Sequence, residues 1–180
     1  ICVDEELLPL LERIADQITG VKHIVVMSNS GTFTTKFTPA HDYEKLIQGE
    51  SSHFVWPELD ENSPMGLCYT SGTTGHPKGA MYTHRSNYLH TMSQGMAEGM
   101  GVTSADTVMA VVPMFHANAW GLAFAAPAAG AKLVLPGARL DGGSVFELME
   151  TEGVTFSAGV PTVWQGLLQF LERERVRPTT

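Results

Sequence analysis

The chain has 180 residues, 43% of them hydrophobic, which excludes global disorder and allows a substantial core. Charged residues make up only 17%, so we expect other parts of the intact protein to cover some of this surface. The net charge of −8 argues against a nucleic-acid groove and against binding to an anionic membrane, although it allows a local anion site.

The cysteines and the first residues bear on the cellular context. Cys2 and Cys68 lie far apart and without metal-ligand spacing, which favours reduced thiols in a cytoplasmic protein. The opening residues do not form a signal-peptide pattern, and a chain that begins at Ile1 instead of Met is expected to be an internal segment.

One uncharged stretch, residues 107–131, is long enough to suggest a membrane span. Pro113, His116, Asn118 and Pro127 interrupt it. We therefore expect a buried strand, a loop and a helix in this stretch, and no transmembrane segment.

Residues 1–27 predict a strand, a helix and a second strand, an order typical of a parallel α/β sheet. Gly20 ends the predicted helix. The apolar residues that recur at helical spacing before it are Leu7, Leu10, Leu11, Ile14 and Ile18.

Residues 28–64 are polar and rich in turn-forming residues, which predicts a surface connection with one short helix over 42–47. We expect large apolar side chains to hold this connection in place: Phe33, Phe37, Phe54, Val55 and Trp56.

Residues 65–180 alternate between predicted strands and helices, which indicates an α/β fold with a mostly parallel sheet. In chain order the pattern predicts strand 66–69, a loop, strand 79–82, helix 85–97, strand 107–112, helix 119–126, strand 132–135, a helix that ends at Gly153, strand 154–157 and a last helix.

Three local signals refine these elements. Ser144 and Glu147 predict a capping box at the start of the helix that Gly153 ends. Pro161 suits the first turn of the last helix. Met92 and Met96 fall on one stripe of helix 85–97 and are predicted to be core residues.

The stretch from Tyr69 to Gly79 has the composition of a phosphate-binding loop, with four hydroxyl side chains, glycines and Lys78 between two strands. Glycines let the backbone approach a ligand, and successive N–H groups can form an anion-binding nest. The spacing differs from a Walker A loop, because only two residues separate Gly72 from Gly75. A Thr-rich hairpin turn without a ligand is the alternative.

The segment Tyr69–Gly79 resembles the signature of the AMP-forming adenylating enzymes, which include acyl-CoA synthetases, luciferases and peptide-synthetase adenylation domains. Residues 113–116 resemble the second core motif of that superfamily. Residues 116–120, 134–137 and 159–164 resemble bacterial medium- and long-chain fatty-acyl-CoA synthetases. The resemblance implies that the chain is a slice of the large N-terminal α/β domain of such an enzyme, without its C-terminal domain.

The resemblance also implies a reaction in two steps. A carboxylate first attacks the α-phosphate of ATP, which yields an acyl-adenylate and pyrophosphate, and the thiol of CoA then takes the acyl group and releases AMP. A fatty acid, ATP, Mg²⁺ and CoA are the implied substrates and cofactors, and a homodimer is the implied assembly.

The loop is implied to bind the ATP phosphates, with Lys78 supporting the loop or the phosphates. The remaining phosphate-binding candidates are Thr70, Ser71, Gly72, Thr73, Thr74 and Gly75. The resemblance further implies that the Thr70 hydroxyl reaches magnesium, together with a residue beyond Thr180.

Catalysis and acyl binding are implied at two further places. His116 is expected to face the carboxylate and the α-phosphate, which makes it, with Lys78, a candidate catalytic residue, and a core histidine is the alternative. Trp120 is expected to line or gate the acyl pocket, with core packing as the alternative. The same pocket is expected to include Val160, Pro161 and Thr162, for which a plain strand-end turn is the alternative.

The resemblance places further necessary motifs after residue 180, so we expect the 180-residue chain alone to be inactive. Two other functions stay open at this point. The protein could activate a short or unusual carboxylic acid, or it could be a non-catalytic nucleotide-binding module.

Overall fold

Short parallel sheets joined by helices make up the computed structural model, which describes residues 1–71 and 75–179. The chain divides into two units, Ile1–Pro57 and Glu58–Thr180. The predicted phosphate-binding residues Gly72, Thr73 and Thr74 lie outside the described residues.

The first unit holds a parallel sheet of three strands in the order β1-β2-β3. Its elements are β1 (Cys2–Asp4), a 3₁₀ turn (Glu5–Leu7), α1 (Leu8–Glu12), a second 3₁₀ turn (Ala15–Gln17), β2 (Ile24–Met27), β3 (Ala40–Asp42) and α2 (Tyr43–Ile47). Leu8, Ile24 and Val26 form the core of this unit.

The predicted helical stripe of the first unit is wrong in its register. Leu8 is buried, whereas Leu7, Leu10 and Ile14 are exposed. Because 3₁₀ turns flank α1 on both sides, a period of 3.6 residues is not maintained along the segment.

The polar connection is more structured than predicted. It contains β3 and α2, and the Asp42 side chain caps α2 by accepting the Lys45 N–H at 2.9 Å. Phe33 and Phe37 pack on the core, as expected. The same prediction is wrong for the residues that follow in the chain, because Phe54, Val55 and Trp56 are exposed.

The second unit contains an antiparallel hairpin and a parallel sheet in the order β7-β6-β8. Its elements are β4 (Pro64–Thr70), β5 (Lys78–Thr83), α3 (His84–Gln94), β6 (Thr107–Ala110), α4 (Leu122–Ala129), β7 (Lys132–Val134), α5 (Gly142–Glu152), β8 (Phe156–Ala158) and α6 (Pro161–Glu174). The predicted α/β class and its mostly parallel pairing are confirmed.

Both faces of β6 are buried, which defines the core of the second unit. Val108 and Ala110 belong to one apolar cluster, which includes Leu122 of α4. Met109 belongs to a cluster on the other face, with Val145 of α5 among its members. A strand that is covered on both faces has a continuous run of apolar residues in its sequence, and residues 108–112 form such a run.

Local predictions in this unit had mixed outcomes. Pro161 opens α6 and Gly153 ends α5, as predicted. The capping box is wrong, because the Asp141 side chain caps α5 by accepting the Ser144 N–H at 3.0 Å. Met92 and Met96 are 56% and 58% exposed, since α3 turns its other side, which includes Gln94, toward the core.

No helix within residues 1–71 and 75–179 is both long enough and apolar enough to cross a membrane. The uncharged stretch instead forms β6, the segment that follows it and α4.

The start of β6 is joined to the start of β8 through Asp106. Its carboxylate accepts hydrogen bonds from the Thr103 N–H at 2.8 Å, the Thr103 hydroxyl at 2.8 Å and the Thr155 hydroxyl at 2.9 Å. These hydrogen bonds lower the pKa of Asp106 below its ordinary value, and the bond from the Thr103 N–H contributes most.

Replacing Asp106 with Asn is expected to lower the stability at neutral pH. A carboxyl whose folded pKa is lowered stabilises the fold above its unfolded pKa, and this contribution is lost as the pH falls through the folded pKa. Urea unfolding at several pH values should therefore show that wild-type and Asp106→Asn midpoints differ near pH 7 and converge in acid. The control is Glu98→Gln, because Glu98 is exposed. A stability difference between wild type and Asp106→Asn that is independent of pH would show that the charge of the Asp106 carboxylate is not what stabilises the fold.

Candidate functional site

The hairpin β4–β5 brings two predicted phosphate-binding residues together. Thr70 pairs with Lys78 at the loop end of the hairpin, and the Thr70 hydroxyl donates to the Lys78 carbonyl at 3.5 Å. Both side chains are exposed, as are Ser71 and Gly75. Gly75 has a φ of +102°, a conformation that favours glycine over any residue with a Cβ.

The donors at this end suit an anionic ligand. The ammonium group of Lys78 and the hydroxyls of Thr70 and Ser71 are donors that phosphate oxygens accept from. The Thr70 oxygen also suits Mg²⁺, which prefers oxygen ligands and commonly takes one or two from protein while substrate phosphates and waters complete its shell. A single protein hydroxyl therefore fits magnesium that arrives with a nucleotide.

His116, the predicted catalytic histidine, lies in the segment that connects β6 to α4. The His116 N–H donates to the Pro113 carbonyl at 3.0 Å, which forms a tight turn. The His116 side chain is exposed within this chain. His116 precedes the turn that carries Trp120.

The segment Ala117–Trp120 forms a left-handed helical turn instead of the predicted right-handed helix, which begins later, at Leu122. The four residues have φ values of 47°, 55°, 55° and 55°. For residues with a Cβ, this conformation costs roughly 1–2 kcal/mol each. Such strain persists only where the surroundings hold it, and it is common at functional sites.

Three sets of contacts hold the left-handed turn. The Ala119 side chain is buried in the cluster that includes Val108. The Gly121 N–H donates to the Ala117 and Asn118 carbonyls, both at 3.0 Å. From α3, the Gln94 side-chain amide donates to the Trp120 carbonyl.

Gly121 makes a close approach possible between this turn and α3. Its φ is +84°, and a Cβ at this position would lie 2.6 Å from two ring atoms of His90 and 2.9 Å from the amide nitrogen of Gln94. Glycine is therefore required here both by conformation and by space.

A cavity of about 440 Å³ lies between α3 and the left-handed turn. It has apolar walls, which include Trp120 and Met100, and polar groups that include Tyr82 and Asn118. The full lining consists of Tyr82, Ser86, Asn87, His90, Gln94, Met100, Ala117, Asn118, Trp120 and Gly121. An apolar cavity with a few polar groups is the usual form of a small-molecule site.

The structure brings only some of the predicted acyl-pocket residues into this cavity. Trp120 lines it, and His116 adjoins it in sequence through Ala117. Val160, Pro161 and Thr162 form the exposed start of α6 and are not among its described lining residues.

Of the residues that line the cavity, sequence reasoning assigned only Trp120 to a pocket, and those it missed include His90, Gln94 and Gly121. His90 and Gln94 lie one turn apart on α3, where their residue types suit any helix surface. A glycine after an aromatic residue is a signal for a turn, but it does not indicate which helix the turn contacts.

The chain belongs to the AMP-binding enzyme family, whose model matches residues 2–178. It is 45% identical to a medium-chain-fatty-acid–CoA ligase of Ectopseudomonas oleovorans over 93% of this chain. It is 47% identical to a 3-methylmercaptopropionyl-CoA ligase of Ruegeria lacuscaerulensis over 92% of this chain. The chain spans 31% of the length of each of these two relatives.

The fold agrees with solved structures of such ligases. A long-chain-fatty-acid-CoA ligase from Archaeoglobus fulgidus superimposes with a TM-score of 0.78 at 25% identity, over 96% of this chain and 32% of that one. The resemblance that the motifs indicated is therefore confirmed at the level of the family and of the fold.

Replacing Gly121 with Ala is expected to lower the free energy of unfolding by about 2–4 kcal/mol, since strain from a positive φ adds to overpacking against His90. Gly137→Ala separates the two causes, because Gly137 also has a positive φ, +64°, but nothing lies within 4 Å of an added Cβ. We expect Gly137→Ala to cost only about 1–2 kcal/mol in urea unfolding. Equal costs at the two positions would show that the contact with α3 is unimportant.

Proposed function

We propose that the protein containing this chain is an AMP-forming acyl-CoA synthetase that joins a fatty acid to CoA at the expense of ATP. The observation that carries the proposal is the position of β5. The strand begins at Lys78, at the phosphate-binding end of the hairpin, and reaches Tyr82 in the cavity wall. Four residues of strand span roughly 13 Å, so one element links an anion site to a cavity that fits an acyl chain.

The reaction needs these two places to be close, because a carboxylate is a poor acyl donor until its oxygen is joined to a better leaving group. In the first step a carboxylate oxygen attacks the α-phosphorus of ATP, and the bond from that phosphorus to the bridging oxygen breaks. Pyrophosphate leaves with the bonding electrons. In the second step the CoA sulfur, having lost its proton, attacks the acyl carbon and AMP leaves.

The residues of the hairpin have a direct role in the first step of this proposal. Lys78 and the hydroxyls of Thr70 and Ser71 hold the β- and γ-phosphates and stabilise the negative charge that develops on the departing pyrophosphate. Thr70 supplies an oxygen ligand to magnesium. When bound, Mg²⁺ supplies further positive charge to the phosphate oxygens.

His116 and the cavity orient the acid. His116 is exposed in the segment that follows β6 and is proposed to donate a hydrogen bond to the carboxylate or to an α-phosphate oxygen. Trp120 and Met100 offer an apolar surface for the acyl chain. Val160, Pro161 and Thr162 remain proposed contacts for a part of the acid outside the cavity.

A shorter or less usual acid is a second candidate substrate. The 47% identical relative named above is a ligase for 3-methylmercaptopropionate, a short thioether acid. The polar groups of Tyr82, Asn87 and Asn118 in the cavity wall also favour an acid that is not purely hydrocarbon. A cytoplasmic location and a homodimer remain predictions, as does the absence of nucleic-acid binding.

ATP–pyrophosphate exchange with a series of straight-chain acids and with 3-methylmercaptopropionate tests the proposal. We expect the protein expressed from its complete gene to catalyse exchange, with the highest kcat/KM for one range of chain lengths. The 180-residue chain alone should show none. A non-catalytic nucleotide-binding module would give no exchange with any acid, and robust exchange by the 180-residue chain would contradict the second expectation.

Thr70 can be tested by two matched substitutions in the same protein. Thr70→Val keeps the shape but removes the hydroxyl, and we expect kcat for adenylation to fall roughly tenfold to hundredfold, with a higher requirement for Mg²⁺. Thr70→Ser keeps the hydroxyl and should retain most of the rate. An equal loss in both variants would indicate that Thr70 acts through packing and not through its oxygen.

A further inference from the structure

Gln94 is a buried polar residue that neither the sequence motifs nor the proposed chemistry explains. It is the last residue of α3 and is only 4% exposed. Its side-chain amide donates to the Trp120 carbonyl, 26 residues further along the chain. Because a carbonyl oxygen only accepts, this contact also fixes which end of the amide faces the turn.

Burial of the Gln94 amide has a cost. Within the described part of the chain, the Gln94 Oε1 is buried without a hydrogen-bond partner, which is unfavourable. An apolar side chain of similar shape would avoid that penalty, but it would leave the Trp120 carbonyl without this donor. What the amide provides, and an apolar residue does not, is therefore the hydrogen bond to the left-handed turn.

The location of the hydrogen bond indicates that role. It is made to the last residue of the left-handed turn, whose four positive φ values require outside support. The Gln94 Nε2 also lies 3.5 Å from the His90 Nε2, and both side chains line the same cavity as Trp120. The backbone orientation of Trp120 sets the direction of its indole, because side-chain rotamers depend on φ and ψ.

We propose that Gln94 is a positioning residue that holds Trp120 in its left-handed conformation and so sets which acyl chains the cavity accepts. The inference depends on the proposed function for its link to acyl chains, but the contact between Gln94 and Trp120 can be measured independently. Gln94 does not touch the reacting atoms. It acts through its hydrogen bond to the backbone carbonyl of Trp120.

The test uses the full-length protein labelled with 5-fluorotryptophan, with the ¹⁹F resonance of Trp120 assigned by Trp120→Phe. In Gln94→Met, which keeps the shape and removes the donor, we expect the Trp120 resonance to shift or broaden while the other tryptophan resonances, those of Trp56 and Trp164 among them, stay in place. Met92→Leu, at an exposed position of the same helix, is the control and should leave every tryptophan resonance unchanged.

The second readout is substrate choice. In pyrophosphate exchange, the ratio of kcat/KM between the preferred acid and one four carbons shorter should change about threefold to tenfold in Gln94→Met, the range expected for one hydrogen bond. The KM for ATP should stay unchanged. A merely structural role would lower activity with all acids alike.

Two results would overturn the inference: an unshifted Trp120 resonance, or an unchanged ratio between acids in an active variant. Gln94→Leu, which also removes the donor, replaces Gln94→Met if the latter does not fold, with the same expectations. If the wild-type protein exchanges pyrophosphate with no acid, the proposed function fails, and the ¹⁹F spectra still decide whether Gln94 positions Trp120.

Discussion

Burial of β6 on both faces is the constraint on which the rest of the second unit depends. Val108 and Met109 point to opposite faces and are completely buried, each in its own apolar cluster. A slip of one residue would exchange the two faces, so the register of β6 between β7 and β8 is strongly determined. This register determines where β6 ends, and therefore where the segment that leads to His116 begins.

The left-handed turn after His116 is anchored in the same core. Ala119, in the middle of the turn, is buried in the cluster that contains Val108 and Leu122. The small side chain of Ala119 allows this close packing, and the hydrogen bond from Gln94 holds the end of the turn. A conformation that is costly for each residue is thus stabilised by contacts with the apolar core and with α3.

The sequence predicted the elements whose signals are local. The apolar run of β6 indicates a strand that is buried on both faces. The proline that opens α6 and the glycine that ends α5 act through their own backbone conformations. The left-handed turn could not be predicted in this way, because Gln94, which supports it, is distant in sequence. The cap of α5 was misplaced because Asp141 and Ser144 are both good capping residues, and only the backbone shows which of them precedes the helix.

The proposed anion site is compatible with a chain whose net charge is −8, because of the short range of the forces involved. At physiological ionic strength, charges further apart than about 8 Å are largely screened, so the overall charge has little effect on a phosphate bound at the hairpin. Direct donors decide the affinity instead, and Thr70, Ser71 and Lys78 supply them at one end of a strand pair. Because β5 continues from that end into the cavity wall, the proposed binding of nucleotide phosphates and the proposed placement of the acid would depend on the same strand.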